Sequence, residues 1–229
     1  MTGEAGETGP GGAGSAGVPS PRSGTRAAPQ TGVQEEVPAG PAQDLAATRV
    51  WLVGMMGAGK STVGRALAGL AGWPVVDTDR LVEQRCGRTV SEVFAEMGEP
   101  AFRRLEAGTV AELAAGDSPL VVSVGGGAVM AEANRTVMRA SGTVVWLRAA
   151  PEVLVRRLGR AESRPLLAGA QGREGAQARV TSLVAEREPL YRQAAHLVVD
   201  VGYGSAVDVA RTVLAMLGGG QGQPPPGGG

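Results

Sequence analysis

The sequence predicts an α/β fold in which a five-stranded parallel sheet carries helices on both faces. Three observations predict it. Short apolar runs alternate with segments whose apolar residues recur at helical spacing, helix-start signals fall between the runs, and a glycine-rich loop joins the first run directly to the first helical pattern. Strand–helix alternation implies crossover connections, hence parallel strands covered on both sides, with ligands at the carboxyl ends of the strands.

The ordered part is expected over roughly 46–217, a length that suits one compact domain. Residues 1–45 hold 10 of the 37 glycines, no aromatic residue and no apolar period, so they bury too little to offset the entropy of ordering and are expected to be disordered. Residues 218–229, rich in Gly and Pro, have the same character.

Within the domain the expected strands are Val50-Trp51-Leu52-Val53, Pro74-Val75-Val76, Leu120-Val121-Val122-Ser123-Val124, Thr143-Val144-Val145-Trp146-Leu147 and His196-Leu197-Val198-Val199, all read as buried. Helical faces follow from Val63, Leu67 and Leu70, and from Val180, Leu183 and Val184. Ser91 before Glu92 and Pro151 mark two further helix starts. Residues 161–175, rich in Gly, Ala and Gln, read as a lid.

Charge and composition exclude several roles. The chain carries 22 Lys+Arg against 22 Asp+Glu, which leaves no global basic field for nucleic acid or an anionic membrane. No run approaches the ~18–20 consecutive apolar residues of a membrane span. One cysteine, Cys86, forms no internal disulfide and no secretory leader pattern is present, so a cytoplasmic location is expected. Cys86 and His196 lack partners spaced for a metal or a nucleophile and are read as structural.

The strongest chemical signal follows the first strand. Gly54-Met55-Met56-Gly57-Ala58-Gly59-Lys60-Ser61-Thr62 matches the phosphate-binding pattern G-x-x-x-x-G-K-[ST] in the required strand–loop–helix setting. Inward-pointing N–H groups and the positive end of the next helix suit the phosphates of ATP; Lys60 reaches the β/γ-phosphates and Ser61 ligates Mg²⁺. Of the 22 basic residues Lys60 is the one lysine, at a position where a compact ammonium is chemically distinct from a guanidinium. The one asparagine, Asn134, precedes Arg135, and the one histidine precedes Leu197. A GTPase guanine reader and a protein-kinase catalytic loop are therefore both missing, and the phosphate loop is not a dinucleotide fingerprint, since Gly57 and Gly59 are followed by Thr62.

Asp77-Thr78-Asp79 ends the second strand. In an extended chain carboxylates at i and i+2 share a side, one for a Mg²⁺ water and the other for an attacking hydroxyl. A carboxylate at Asp79 also suits the cap of a helix beginning at Arg80. Arg103 lies on a helical stretch, Phe102-Arg103-Arg104-Leu105-Glu106, where Glu99 can pair with it at i, i+4. Gly125-Gly126-Gly127 after the third strand permits close backbone approach to a ligand. Arg164-Pro165-Leu166-Leu167 stands in the lid, and Pro189-Leu190-Tyr191-Arg192 supplies a cation late in a helix.

Together, and in this order, these motifs resemble the shikimate kinase family over nearly the whole of the expected domain. The resemblance implies a P-loop NTPase fold of the nucleoside-monophosphate-kinase type, a three-layer sandwich with a lid. It implies transfer of the ATP γ-phosphate to the 3-hydroxyl of shikimate, with one Mg²⁺, by a monomer that binds neither nucleic acid nor membrane. Position by position, Gly57, Ala58, Gly59, Lys60, Ser61 and Thr62 would hold ATP, Arg157 would lie against the adenine, and Ser61 and Asp77 would serve the metal. Asp79 would hold the ring hydroxyls and act as base. Arg103 and Arg192 would clamp the substrate carboxylate beside Gly125, Gly126 and Gly127, Glu106 would orient Arg103, and Arg164 would swing in to the transferring phosphate. After the last strand, Gly202-Tyr203-Gly204-Ser205 departs from the family in lacking a basic residue near the adenine. A gluconate or nucleoside monophosphate kinase of the same fold, or an ATP-binding regulatory module without chemistry, are the competing readings.

Overall fold

In a computed structural model of the chain, residues 49–158, 172–202 and 204–218 are described. The expected extension over 1–45, the tail after Gly218, Arg164, Tyr203 and most of the expected lid lie outside them.

Five strands form one sheet in the order β2-β3-β1-β4-β5: β1 Arg49–Val53, β2 Val75–Asp77, β3 Leu120–Ser123, β4 Thr143–Arg148 and β5 Leu197–Asp200. Every neighbouring pair is parallel. The helices are α1 Lys60–Ala71, α2 Thr78–Cys86, α3 Val90–Met97, α4 Glu99–Ala115, α5 Glu132–Ser141, α6 Pro151–Leu158, α7 Gly172–Ala194 and α8 Ala206–Gly218, with a 3₁₀ turn over Ala128–Met130. Alternate residues of β1 face opposite layers. The Cβ position of Gly64 on α1 is 3.3 Å from Leu52, while the Trp51 indole donates to Ser141 at the end of α5 at 3.2 Å. α1 packs on α8 on one side of the sheet, and α4, α5 and α7 pack together on the other. Central β1 is therefore buried at all five residues, as a parallel strand with both faces covered must be.

The second strand departs from expectation. It is shifted one residue toward Asp77, and at the sheet edge Val75 is exposed, so it is not a buried strand. Leu70, assigned to the inner face of α1, is exposed as well; Val63 and Leu67 carry that face. The start of α3 is capped by Thr89 rather than Ser91, through a reciprocal box in which the Thr89 hydroxyl accepts from Glu92 N–H and the Glu92 carboxylate accepts from Thr89 N–H. Pro151 opens α6 as expected, and residues 172–175, read as lid, form the first turn of α7.

Apolar packing falls into two clusters. The larger surrounds the sheet, and a smaller one, Val82, Val93 and Phe102, lies between α2, α3 and α4. The carboxyl ends of β1, β2 and β3 lie side by side on one rim, because Asp77 pairs in register with Ser123, and Ser123 with Leu52.

Candidate functional site

The phosphate loop is built as its pattern requires. Gly59, immediately before α1, has φ +95°, which strains any side chain, and its carbonyl accepts from Thr62 N–H at 3.0 Å and Val63 N–H at 2.8 Å. Lys60 Nζ donates to the Gly54 and Met55 carbonyls at 2.8 and 3.1 Å, so the ammonium is tied to the loop it serves. Arg157 Nη1 donates to the Gly57 and Ala58 carbonyls, each at 3.3 Å, and its Nη2 donates to the Val201 carbonyl at 2.8 Å. The guanidinium thus links the loop to the end of β5, the edge at which the adenine was expected.

Asp77 and Asp79 do not share one extended strand, as the i, i+2 argument required. Asp77 ends β2 and is the N-cap of α2, where its Oδ1 accepts from Asp79 N–H at 3.1 Å; Asp79 stands in the helix's first turn. The capping role considered for Asp79 belongs to Asp77, and capping leaves its second oxygen available for other work. That oxygen accepts from the Ser61 hydroxyl at 2.6 Å and from the Ser123 hydroxyl at 3.0 Å. A cluster of a carboxylate and two hydroxyls beside a phosphate loop is the hard-oxygen donor set that suits Mg²⁺, which takes few protein ligands and completes its shell with phosphate and water.

Asp79 is pushed above the ordinary carboxylate range, first by burial and then by the Asp77 charge, with Lys60 opposing. Glu106, 1% exposed, is pushed up to about 7, again by burial first, against the pull of Arg103. Arg103 donates to Glu106 at 2.8 Å and to Glu99 at 2.9 Å; burial lowers its pKa, and these two carboxylates more than reverse that. Arg104 faces outward, as its place on a wet helix face implied.

The triple glycine explains itself by what each residue would strike. A Cβ on Gly125 would stand 2.5 Å from Asp79 Oδ1 and 2.6 Å from Glu106 Oε1. One on Gly126 would stand 3.3 Å from the Met56 nitrogen of the phosphate loop, and one on Gly127 would collide with the guanidinium of Arg103, 2.7 Å from its central carbon. These glycines let two carboxylates, the phosphate loop and an arginine converge on one strand end.

The structure therefore brings Asp77, Asp79, Arg103, Glu106, Gly125, Gly126, Gly127, Lys60 and Ser61 to one rim. Arg192 pairs with Glu188 at 3.4 Å, and its guanidinium lies 5.9 Å from the centroid of Trp146. Arg164 lies outside the described residues. His196 is structural as read: Nδ1 accepts from Val144 N–H at 3.0 Å, and burial lowers its pKa. Three contributors were missed. Ser123 was visible as the polar residue of an apolar run, Thr78 lies between the aspartates and accepts from Gly125 N–H at 2.9 Å, and Arg187 carried no sequence signal.

A family model described as shikimate kinase matches residues 56–218. The chain is 47% identical over 169 residues to a shikimate kinase of Symbiobacterium thermophilum, covering 72% of this chain and 94% of that protein. It is 44% identical over 177 residues to one of Halorhodospira halophila, covering 77% and 96%. Among solved structures, a shikimate kinase of Acinetobacter baumannii in complex with shikimate superposes with a TM-score of 0.72 at 35% identity, covering 77% of this chain and 96% of that one.

Proposed function

The chain belongs to the shikimate kinase family, ATP-dependent phosphotransferases acting on an alcohol acceptor, and from that premise we propose how its own residues divide the transfer of the ATP γ-phosphate to the 3-hydroxyl of shikimate. One observation carries the reading: Ser61, beside Lys60, is hydrogen-bonded at 2.6 Å to Asp77, the cap of the helix that presents Asp79. Phosphate donor and hydroxyl acceptor are thereby held by adjoining residues.

The loop N–H groups and Lys60 bind and orient the triphosphate, with Arg157 fixing the loop's outer carbonyls to the nucleotide edge of β5. Asp79 accepts a hydrogen bond from the 3-hydroxyl and takes its proton as the oxygen attacks the γ-phosphorus and the bond to the β-phosphate breaks, releasing ADP. A carboxylate raised toward neutrality is a better proton acceptor for this step than an ordinary one. Arg103 offers planar, bidentate donors to the substrate carboxylate, held in place by Glu106 and Glu99. Arg192 is the second cation of that clamp. Its pair with Glu188 is long and 42% and 41% exposed, so exchanging that partner for the substrate acid costs little. Arg164 is assigned to the transferring phosphoryl group. Ser61 and Asp77 would hold Mg²⁺, which when bound neutralises charge on the β/γ-oxygens.

We further infer a monomer working in the cytoplasm without nucleic acid or membrane. The balance of 22 basic and 22 acidic residues supports the absence of a nucleic-acid or anionic-membrane partner, and no helix among the described residues is long and apolar enough to cross a bilayer. The test is ADP release with shikimate, gluconate and nucleoside monophosphates offered separately. Turnover with shikimate alone is expected, and turnover with gluconate but not shikimate would overturn the assignment.

A further inference from the structure

Beside the phosphate loop, at the carboxyl ends of β4 and β5, lies a cavity of about 250 Å³ that contains none of Lys60, Ser61, Asp77, Asp79, Arg103 or the triple glycine. Its floor is apolar. Met55 comes from the loop, Trp146 from β4, Val184 and Tyr191 from α7, and Pro151 from the start of α6. The Trp146 indole is 3% exposed and stacks on Tyr191 with 5.7 Å between ring centroids. A wall built from two aromatic rings favours a third, because paired rings gain beyond the area they bury.

The charged lining is Arg148, Asp200 and Glu188. Asp200 accepts from Arg148 Nε at 2.6 Å and from its Nη2 at 2.9 Å, which sets the guanidinium in the wall with its central carbon 5.7 Å from the Trp146 centroid. Glu188 is held more loosely. Its pair with Arg192 spans 3.4 Å between two half-exposed side chains, so this carboxylate changes partner at little cost. A cation from β4 and a carboxylate from α7 thus flank one aromatic floor.

These features select a class of ligand. A phosphate or a simple acid would meet two carboxylates, and a polyol has no apolar surface to bury on the floor. The volume falls below the ~300–1,000 Å³ of sites for larger ligands and is too small for a nucleotide. A zwitterion with a flat apolar side chain answers each part, with its ring on Trp146, its ammonium at Glu188 and its carboxylate at Arg148.

We propose that this cavity is a binding site for an aromatic α-amino acid, separate from the rim that transfers phosphate. The two share walls. The Met55 carbonyl accepts from Lys60, and the Tyr191 hydroxyl donates to the Gly126 carbonyl at 2.6 Å. An occupant therefore leans on the phosphate loop and the glycine loop without entering the place of either substrate.

The experiment is calorimetric titration of the full-length protein with L-phenylalanine, phenethylamine and 3-phenylpropionate. L-Phenylalanine is expected to bind at one site with Kd below about 1 mM, a modest affinity for its size. Each analogue lacks one of the two charges and should bind about tenfold or more weakly, the worth of a charge-assisted hydrogen bond. Val184→Phe fills the floor and should abolish this binding, while ADP binding within about twofold of wild type shows that the variant is folded. Glu188→Gln should weaken L-phenylalanine about tenfold and leave 3-phenylpropionate, which has no ammonium, within about twofold. Absence of saturable heat with L-phenylalanine, equal affinity for the three compounds, displacement of L-phenylalanine by shikimate or ADP, or unchanged binding in a folded Val184→Phe would each overturn the inference. If Val184→Phe does not fold, Glu188→Gln decides, and equal losses for L-phenylalanine and 3-phenylpropionate there are the contrary result.

Discussion

Glu106 shows how a single carboxylate couples stability to binding. Its folded pKa of about 7 lies above the ordinary 4.5, so the folded state holds the proton more tightly than the unfolded chain does. The stability this contributes is full below about 4.5 and is lost as pH rises through about 7. Denaturant unfolding of wild type and Glu106→Gln across this window should therefore show the difference between them changing with pH, wild type losing relative stability as Glu106 ionises; a pH-independent difference would contradict it. Asp79 makes the complementary prediction. Asp79→Asn keeps the shape and leaves the phosphate loop untouched, so ADP binding measured by calorimetry should persist while kcat falls by about 10²–10⁴, the range for a removed general base. A wild-type kcat in that variant would end its assigned role.

At the scale of elements, three consecutive glycines each admit a different neighbour, and their substitutions should separate accordingly. Gly127→Ala pushes first on the guanidinium of Arg103, so KM for shikimate should rise about tenfold while KM for ATP stays within about twofold; parallel rises would show that the glycine serves the loop's folding instead. Much of this was legible in the sequence, because a phosphate loop, an aspartate pair, an arginine helix and a glycine triplet are local patterns whose chemistry is carried by residue type and spacing. What was not legible depends on where elements begin and which strand is an edge. The helix starts at Thr78, one residue before Asp79, and this replaces a shared strand face with a cap and a first turn. Val75 carries a strand residue's sequence but lies at the sheet's border, where one side has no neighbouring strand among the described residues. Arg187 reads as one more basic residue on a charged helix, and its burial beside Gly126 exists only after α7 folds over the third strand's end.

Across the whole molecule, the division of apolar packing matters. The sheet sits in a continuous core, whereas α2 and α3 rest on the small cluster of Val82, Val93 and Phe102, with Phe94 tilted against Phe102 at 4.7 Å between ring centroids. Few buried contacts mean a low opening free energy, so amides of α2 and α3 should exchange with solvent faster than those of β1 and β4. Added shikimate should slow exchange in α2 and α3 selectively, and uniform protection with and without it would contradict a separately cored acceptor side. The measurement that bears most directly on the central claim is a crystal structure of the enzyme with ADP, Mg²⁺ and shikimate. The account predicts the acid's carboxylate on the Arg103 guanidinium beside Gly126 and Gly127, its 3-hydroxyl on Asp79, and that oxygen turned toward the outer phosphate. Shikimate bound elsewhere, with Asp79 and Arg103 left facing solvent, would contradict it.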